Sequence, residues 1–239
     1  MSLLSVVRHG QASFLSDNYD RLSPTGEVQA RHLAQYWIER GVAFDCVYHG
    51  PAERQIRTGA IIGDAFRAAG RPWPEPVRVD ALDEFPAEEV VRSFLPRLLP
   101  EHPHLREHVD QLRNGDDRRA KQRAFDSMLR DVSERWLRGE VHDPAIPTWQ
   151  DFCHRIERAI QGIVEDAPRS SSVAVFTSSG PMAATARMAL GLTYEATLEL
   201  TWSPRNSAVS EFLFTPGRFS LSTFNATPHL ADPDLITYR

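Results

Sequence analysis

Four short clusters in this 239-residue chain carry groups that can handle an anion or a proton. Arg8-His9-Gly10 sets a guanidinium beside an imidazole, and His49-Gly50 offers a second imidazole. Asp83-Glu84 supplies two carboxyl groups, and Ser178-Ser179-Gly180 supplies two hydroxyls followed by glycine. A guanidinium holds phosphate oxygens in a directional fork. A neutral imidazole attacks phosphorus through one ring nitrogen while the other donates to a backbone carbonyl, which fixes the tautomer. A carboxyl group can protonate a leaving oxygen and then activate water. These types suit phosphoryl transfer, with His9 as the leading nucleophile candidate. A histidine at a strand end is more often structural, so the reading depends on its surroundings.

The element pattern places the clusters. Residues 3–8 form a short apolar run that ends in Arg-His-Gly, as a buried strand would. A polar loop runs to Leu22. Ser23 then caps a helix with Pro24 at its first position, Ala30, Leu33, Ala34, Trp37 and Ile38 on one face, and Gly41 at its end. Residues 44–48 read as a second strand. A helix from about Pro51 carries a stripe of Ile56, Gly59, Ala60 and Gly63, and residues 77–79 read as a brief third strand. Thr148 and Asp151 form a capping-box-like start to a helix that buries Phe152, Ile156, Ile160 and Ile163. Residues 173–177 are a fourth strand, turned by 178–181 into a helix through about Leu190. Residues 208–214 and 219–224 flank a Thr-Pro-Gly-Arg turn and read as a hairpin.

Strand–helix alternation predicts an α/β fold, a three-layer αβα sandwich whose mostly parallel sheet has an antiparallel edge strand. Ligands of such sheets gather beyond the C-terminal strand ends, which is where all four clusters fall. Residues 86–147 break the alternation. They are rich in charge and helical in period, best at Phe125, Met128, Leu129, Val132 and Trp136. They read as a helical insertion within a single domain spanning 1–239.

Composition limits the alternatives. Apolar residues at 41 % and charged residues at 25 % fit an ordinary globular chain rather than a disordered one. A net charge of −5 gives no general attraction to nucleic acid or anionic membrane, so an anion site must be a local concentration of positive charge. Cys46 and Cys153 form no CxxC pair, and neither a disulfide framework nor a cysteine-based zinc site follows. The start lacks a basic leader and breaks at Arg8, and no stretch approaches the roughly 20 apolar residues of a membrane span. A cytoplasmic location is the expectation.

The ordered motifs resemble those of the histidine phosphatase superfamily, which includes phosphoglycerate mutases and many small phosphatases. Val-Val-Arg8-His9-Gly10-Gln resembles its signature at the end of the first strand. Residues 22–30 resemble its entry into the first helix, Pro51-Ala-Glu-Arg54-Gln-Ile-Arg-Thr58 its second motif, and Leu82-Asp-Glu84 its acidic motif. Residues 206–208 and 224–230 resemble its C-terminal strands. The resemblance implies that His9 is the nucleophile, that Arg8 and Arg54 hold phosphate, and that Glu84 is the general acid and base. Asp83, Glu88 and Glu89 are the competing carboxylates. A cation such as Arg54 in the first turn of a helix opposes the helix dipole, and an anion in front of that turn would remove the conflict.

Two departures stand out. Ser179 occupies the position of the family's second histidine and gives a neutral hydroxyl where a charged donor is expected. Ser179 and Gly180 still open a helix, whose N–H groups and dipole suit an anion, although a helix-capping role for Ser179 is equally compatible. His49 is a conceivable replacement donor. The loop after His9 lacks the mutase pattern, and Ser13 or Asn18 is the available further phosphate contact. The implied activity is therefore a phosphomonoester phosphatase working through phosphohistidine on a small phosphorylated substrate, with no cofactor or metal and no nucleic-acid or membrane partner. The alternatives are a mutase-like phosphotransferase and a phospho-ligand-binding member with weakened or absent turnover. The insertion is expected to decide the substrate if it caps the pocket. Its run from Asp116 to Arg123 reads as a solvated helix face that could instead meet a second anionic group.

Overall fold

The computed structural model describes residues 1–13, 20–114 and 117–238, and of Arg118 and Arg119 the backbone alone. The elements are β1 (Ser2–Arg8), α1 (Pro24–Glu39), β2 (Cys46–His49), α2 (Glu53–Ala68), β3 (Val77–Arg78), α3 (Ala87–Leu98), α4 (Pro103–Asn114) and α5 (Arg118–Leu137). They continue with α6 (Trp149–Asp166), β4 (Ser172–Thr177), α7 (Ser179–Leu190), α8 (Tyr194–Leu200), β5 (Val209–Thr215) and β6 (Arg218–Ala226). The chain divides into two compact units, Met1–Glu84 with Cys153–Arg239, and Phe85–Phe152.

The first unit is built on a six-stranded sheet in the order β3-β2-β4-β1-β5-β6. β1 pairs in parallel with β4, and β2 in parallel with β4 and β3. β5 runs antiparallel to both β1 and β6, so the antiparallel contribution is the hairpin at one edge. Arg8 lies level with Thr177, and His49 with Phe176. The residues that follow these strands therefore leave the sheet side by side.

The central strands are apolar because both faces are covered. Val7, Val47 and Phe176 share one cluster with Leu33 and Trp37 of α1 and Ile62 and Phe66 of α2. Each such large side chain contributes about 1.5–3 kcal/mol by leaving water. The two glycines of the α2 stripe have a steric cause, a Cβ on Gly59 lying 2.9 Å from the Phe176 ring and one on Gly63 2.6 Å from Trp73 Nε1, whereas Ile56, expected on the same stripe, is exposed. On the other face, α7 packs against β1 and β6 with Met182, Ala183, Ala184 and Ala186 buried. Ser23 caps α1 as its sequence implies, its Oγ accepting from the Gly26 N–H at 3.1 Å.

The second unit is helical. α3 and α4 pack on α5 around Val90, Phe94, Leu105, Met128, Leu129 and Val132. Phe85, Trp136, Trp149 and Phe152 form an aromatic group, with Trp149 stacked on Phe152 at 5.0 Å. The buried stripe of α5 takes Ala124, while Phe125 is half-buried, one position from the expected one. Thr148 and Asp151 form the expected capping box: the Asp151 N–H donates to Thr148 Oγ1 and the Thr148 N–H to Asp151 Oδ2. Among the described residues no helix is long and apolar enough to cross a membrane.

Candidate active site

Every peptide group in the turn after β1 has a defined partner. The His9 N–H donates to Thr177 O at 2.8 Å, and His9 O accepts from the Ser207 N–H at 3.1 Å. The Gly10 N–H donates to Thr58 Oγ1 at 3.1 Å, and Gly10 O accepts from His9 Nδ1 at 2.7 Å. The Gln11 N–H donates to Gln29 Oε1 at 2.8 Å, and Gln11 O accepts from the Ser23 N–H at 2.8 Å. The turn also interlocks with α1: a Cβ on Gly10 would lie 2.4 Å from Gly26 O, and one on Gly26 2.2 Å from Gln11 O. Glycine is needed at both positions, and the backbone that carries His9 is fixed before any ligand arrives.

His9 is 4 % exposed. Its Nδ1–H is committed to Gly10 O, which assigns the lone pair to Nε2, and Nε2 accepts from Arg54 Nε at 3.2 Å. Burial, then Arg54, then Arg8 hold the ring's pKa well below its usual 6.5, against a weaker opposing effect of the Gly10 bond. The imidazole is thus neutral near pH 7, in the tautomer a nucleophile requires. The Arg8 guanidinium is buried, with Nη1 donating to Pro204 O. Arg54 is the second residue of α2, and its Nη1 meets Asp20 Oδ1 at 2.6 Å.

A second group of residues lies at the end of β4. Asp83 Oδ1 accepts from the Glu84 N–H at 2.8 Å, so Asp83 shapes the turn. Glu84 Oε2 accepts from the Gly180 N–H at 3.0 Å and from Ser179 Oγ at 3.2 Å. The two groups expected to face a phosphate are therefore directed at Glu84. The N-cap of α7 is Ser178, and Ser179 is its first helical residue, so capping does not explain Ser179. Ser178 Oγ instead accepts from Gln55 Nε2 at 2.8 Å. The two groups are tied through Thr177, whose carbonyl holds His9 and whose hydroxyl donates to Leu82 O at 2.7 Å.

The chain matches the family model of the histidine phosphatase superfamily (branch 1) over residues 4–89 and 98–227. It belongs to that superfamily. No curated protein matches the sequence. Among solved structures, it resembles a mutant phosphoserine phosphatase from Entamoeba histolytica in complex with phosphoserine, with 18 % identity, a TM-score of 0.61, and 96 % of this chain and 100 % of that one covered. It also resembles a phosphoglycerate mutase from Bacillus anthracis, with 15 % identity, a TM-score of 0.62, and coverage of 96 % and 95 %. A third is a mycobacterial glucosyl-3-phosphoglycerate phosphatase, with 15 % identity, a TM-score of 0.61, and coverage of 94 % and 98 %. At 15–18 % identity these likenesses carry the fold.

Within this histidine phosphatase fold, the expected residues fall into two contacts: His9 with Arg54, and Glu84 with Ser179 and Gly180. The His49 ring bonds Gly50 O at 2.8 Å, as His9 bonds Gly10 O, and meets neither of those contacts. Glu88 and Glu89 are exposed in the first turn of α3. The backbone N–H of Ser13 donates to Arg21 O. Asn18 and Asp116 lie outside the described residues. Several contributors were not read from the sequence: Asp20, Thr58, Gln29, Gln55 and Ser207. Each acts through a partner remote along the chain, so no local spacing announces it. Gln29, Gln55, Thr58 and Ser207 stood inside recognised motifs without an assigned role, and Asp20 stood outside them.

Proposed function

We propose that the protein is a phosphomonoester phosphatase that works through a phosphohistidine at His9 Nε2. The observation that carries this is the His9 ring itself: neutral, its Nδ1–H locked to Gly10 O, and its Nε2 turned to a guanidinium. Nε2 attacks phosphorus as the P–O ester bond breaks, and Glu84 gives the leaving oxygen its proton. Glu84 then takes a proton from water, which attacks phosphorus. The N–P bond breaks, and inorganic phosphate and neutral His9 are restored. Arg8 and Arg54 hold the phosphate oxygens and stabilise their charge. Ser179 and the Gly180 N–H orient Glu84, and the helix end of α7 adds a positive dipole beside the phosphate.

The solved neighbours include a complex with phosphoserine, which supports a small phosphorylated substrate. We read the chain as one domain with residues 86–147 as its insertion. The test is incubation with a panel of phosphomonoesters, followed by measurement of acid-labile phosphate on the protein. Label on the wild type and none on His9→Ala is expected. A second reading, a phospho-ligand binder without turnover, is favoured by Ser179, a neutral hydroxyl where the family motif has an imidazole. It prevails if vanadate binds while neither label nor turnover is detected. In that case Ser179→His, which supplies the charged donor, should restore turnover.

A further inference from the structure

We propose that residues 235–237 are a positioning element for the His9 turn, acting through Gln29 and Asn206. The proposal rests on His9 being the nucleophile, and it concerns residues that touch neither substrate nor reacting atoms. Gln29 is fully buried on α1, and its side-chain amide is engaged on three sides. Its Oε1 accepts from the Gln11 N–H at 2.8 Å, and its Nε2 donates to Leu235 O at 2.8 Å and to Thr237 Oγ1 at 2.9 Å. The Thr237 hydroxyl donates to Asn206 Oδ1 at 2.9 Å, and the Asn206 N–H donates to Thr237 O at 2.8 Å. Asn206 is followed by Ser207, whose N–H holds His9 O at 3.1 Å.

The contacts close a ring from His9 through Ser207, Asn206, Thr237, Gln29 and Gln11, returning to His9 along the chain. The two peptide groups gripped by this ring, those of His9 O and Gln11 N–H, flank Gly10 and fix the chain on the C-terminal side of the nucleophile. With the His9 N–H held by Thr177 O, the grip on His9 O sets the direction of the His9 Cα–Cβ bond, and a small rotation there moves Nε2 farther than it moves the backbone. Ser207 sits at φ 58, a left-handed conformation that a non-glycine residue holds only when its surroundings fix it. Its Oγ is bonded to His229 Nε2 at 2.8 Å, and both side chains are buried. Thr237 is the ring's best handle: it is half-buried, and among the described residues its hydroxyl is the one that joins Gln29 to Asn206.

Thr237→Val removes the hydroxyl and keeps the shape, whereas Thr237→Ser keeps the hydroxyl. Three quantities are read in the full chain: kcat and KM on the best phosphomonoester of the panel, the melting temperature, and the His9 Nδ1–H signal by 1H–15N NMR. For Thr237→Val, kcat should fall about tenfold, the rate equivalent of one lost hydrogen bond, with KM little changed and the Nδ1–H signal broadened. Thr237→Ser should restore both. Thr237→Ala carries the same expectation if valine is not accommodated. A lower melting temperature with kcat and the Nδ1–H signal as in wild type would make residues 235–237 a structural tie only and overturn the proposal. If the wild type shows no turnover, the phosphatase reading fails, while the NMR comparison still decides whether the ring positions His9.

Discussion

Burial and two guanidinium groups act on the His9 ring in the same direction, and all of them disfavour its protonated form. Burial is the largest of these effects, so His9 stays neutral even when one cation is removed. Its acid limb should lie well below pH 6.5, and protonation of the nucleophile does not limit phosphoryl capture at neutral pH. Arg54→Gln deletes one of the lowering charges and leaves the burial in place. The His9 pKa should therefore rise but remain below 6.5, as read by NMR titration of the ring. An unchanged or lower value would mean that Arg54 does not act on His9 through its charge. The same variant should also weaken vanadate binding, by roughly 1.5–3 kcal/mol for a lost charged contact.

At the scale of elements, α2 shows how a functional cation is kept at a helix start. Its N-cap is Ala52, which has no side-chain acceptor to offer. Asp20 supplies one from 33 residues away: its Oδ2 accepts from the Glu53 N–H at 2.8 Å while its Oδ1 pairs with Arg54. The carboxylate meets both the open helix end and the cation that opposes the dipole. Asp20→Ala should cost about 1–2 kcal/mol in urea unfolding, most of it from the lost cap and little from the part-exposed ion pair. Asp20→Asn should recover most of that stability. Equal losses for both variants would assign the stability to the charge instead of the cap.

This arrangement also marks the limit of what the sequence displays. The strands, α1 and α7 are legible because apolar period and capping residues are local signals, and Arg8-His9-Gly10 is legible because it stands at a strand end. Asp20 is not, because its partners lie on another element and no spacing links them. For the same reason Ser179 read equally well as a cap, until the position of Glu84 assigned its hydroxyl. α8 was missed because seven residues give no measurable period, although Thr193 caps it through the Ala196 N–H.

At the scale of the whole molecule, the buried histidines couple stability to pH. His229 is pushed down to about 4, by burial first and His32 second, and His9 is lowered as well. Both are neutral in the native state and take a proton near pH 6.5 when unfolded. Above that pH neither state binds the proton, and the histidines contribute no pH dependence. Below it the unfolded state gains protons that the native state excludes, so stability falls as pH falls. For His229 the loss continues to about pH 4, where the native ring also protonates. Its full size is on the order of 3 kcal/mol, or about 1.2 kcal/mol per pH unit near pH 5.5, and His9 acts in the same direction. The carboxylates whose pKa values are lowered, Asp131 and Asp143 among them, lose their contribution only at more acidic pH. Urea unfolding between pH 7 and pH 5 therefore isolates the histidines. The wild-type midpoint should drop through this window, and His229→Gln, which can still bond Ser207, should flatten the slope. A slope unchanged by His229→Gln would place the proton uptake elsewhere.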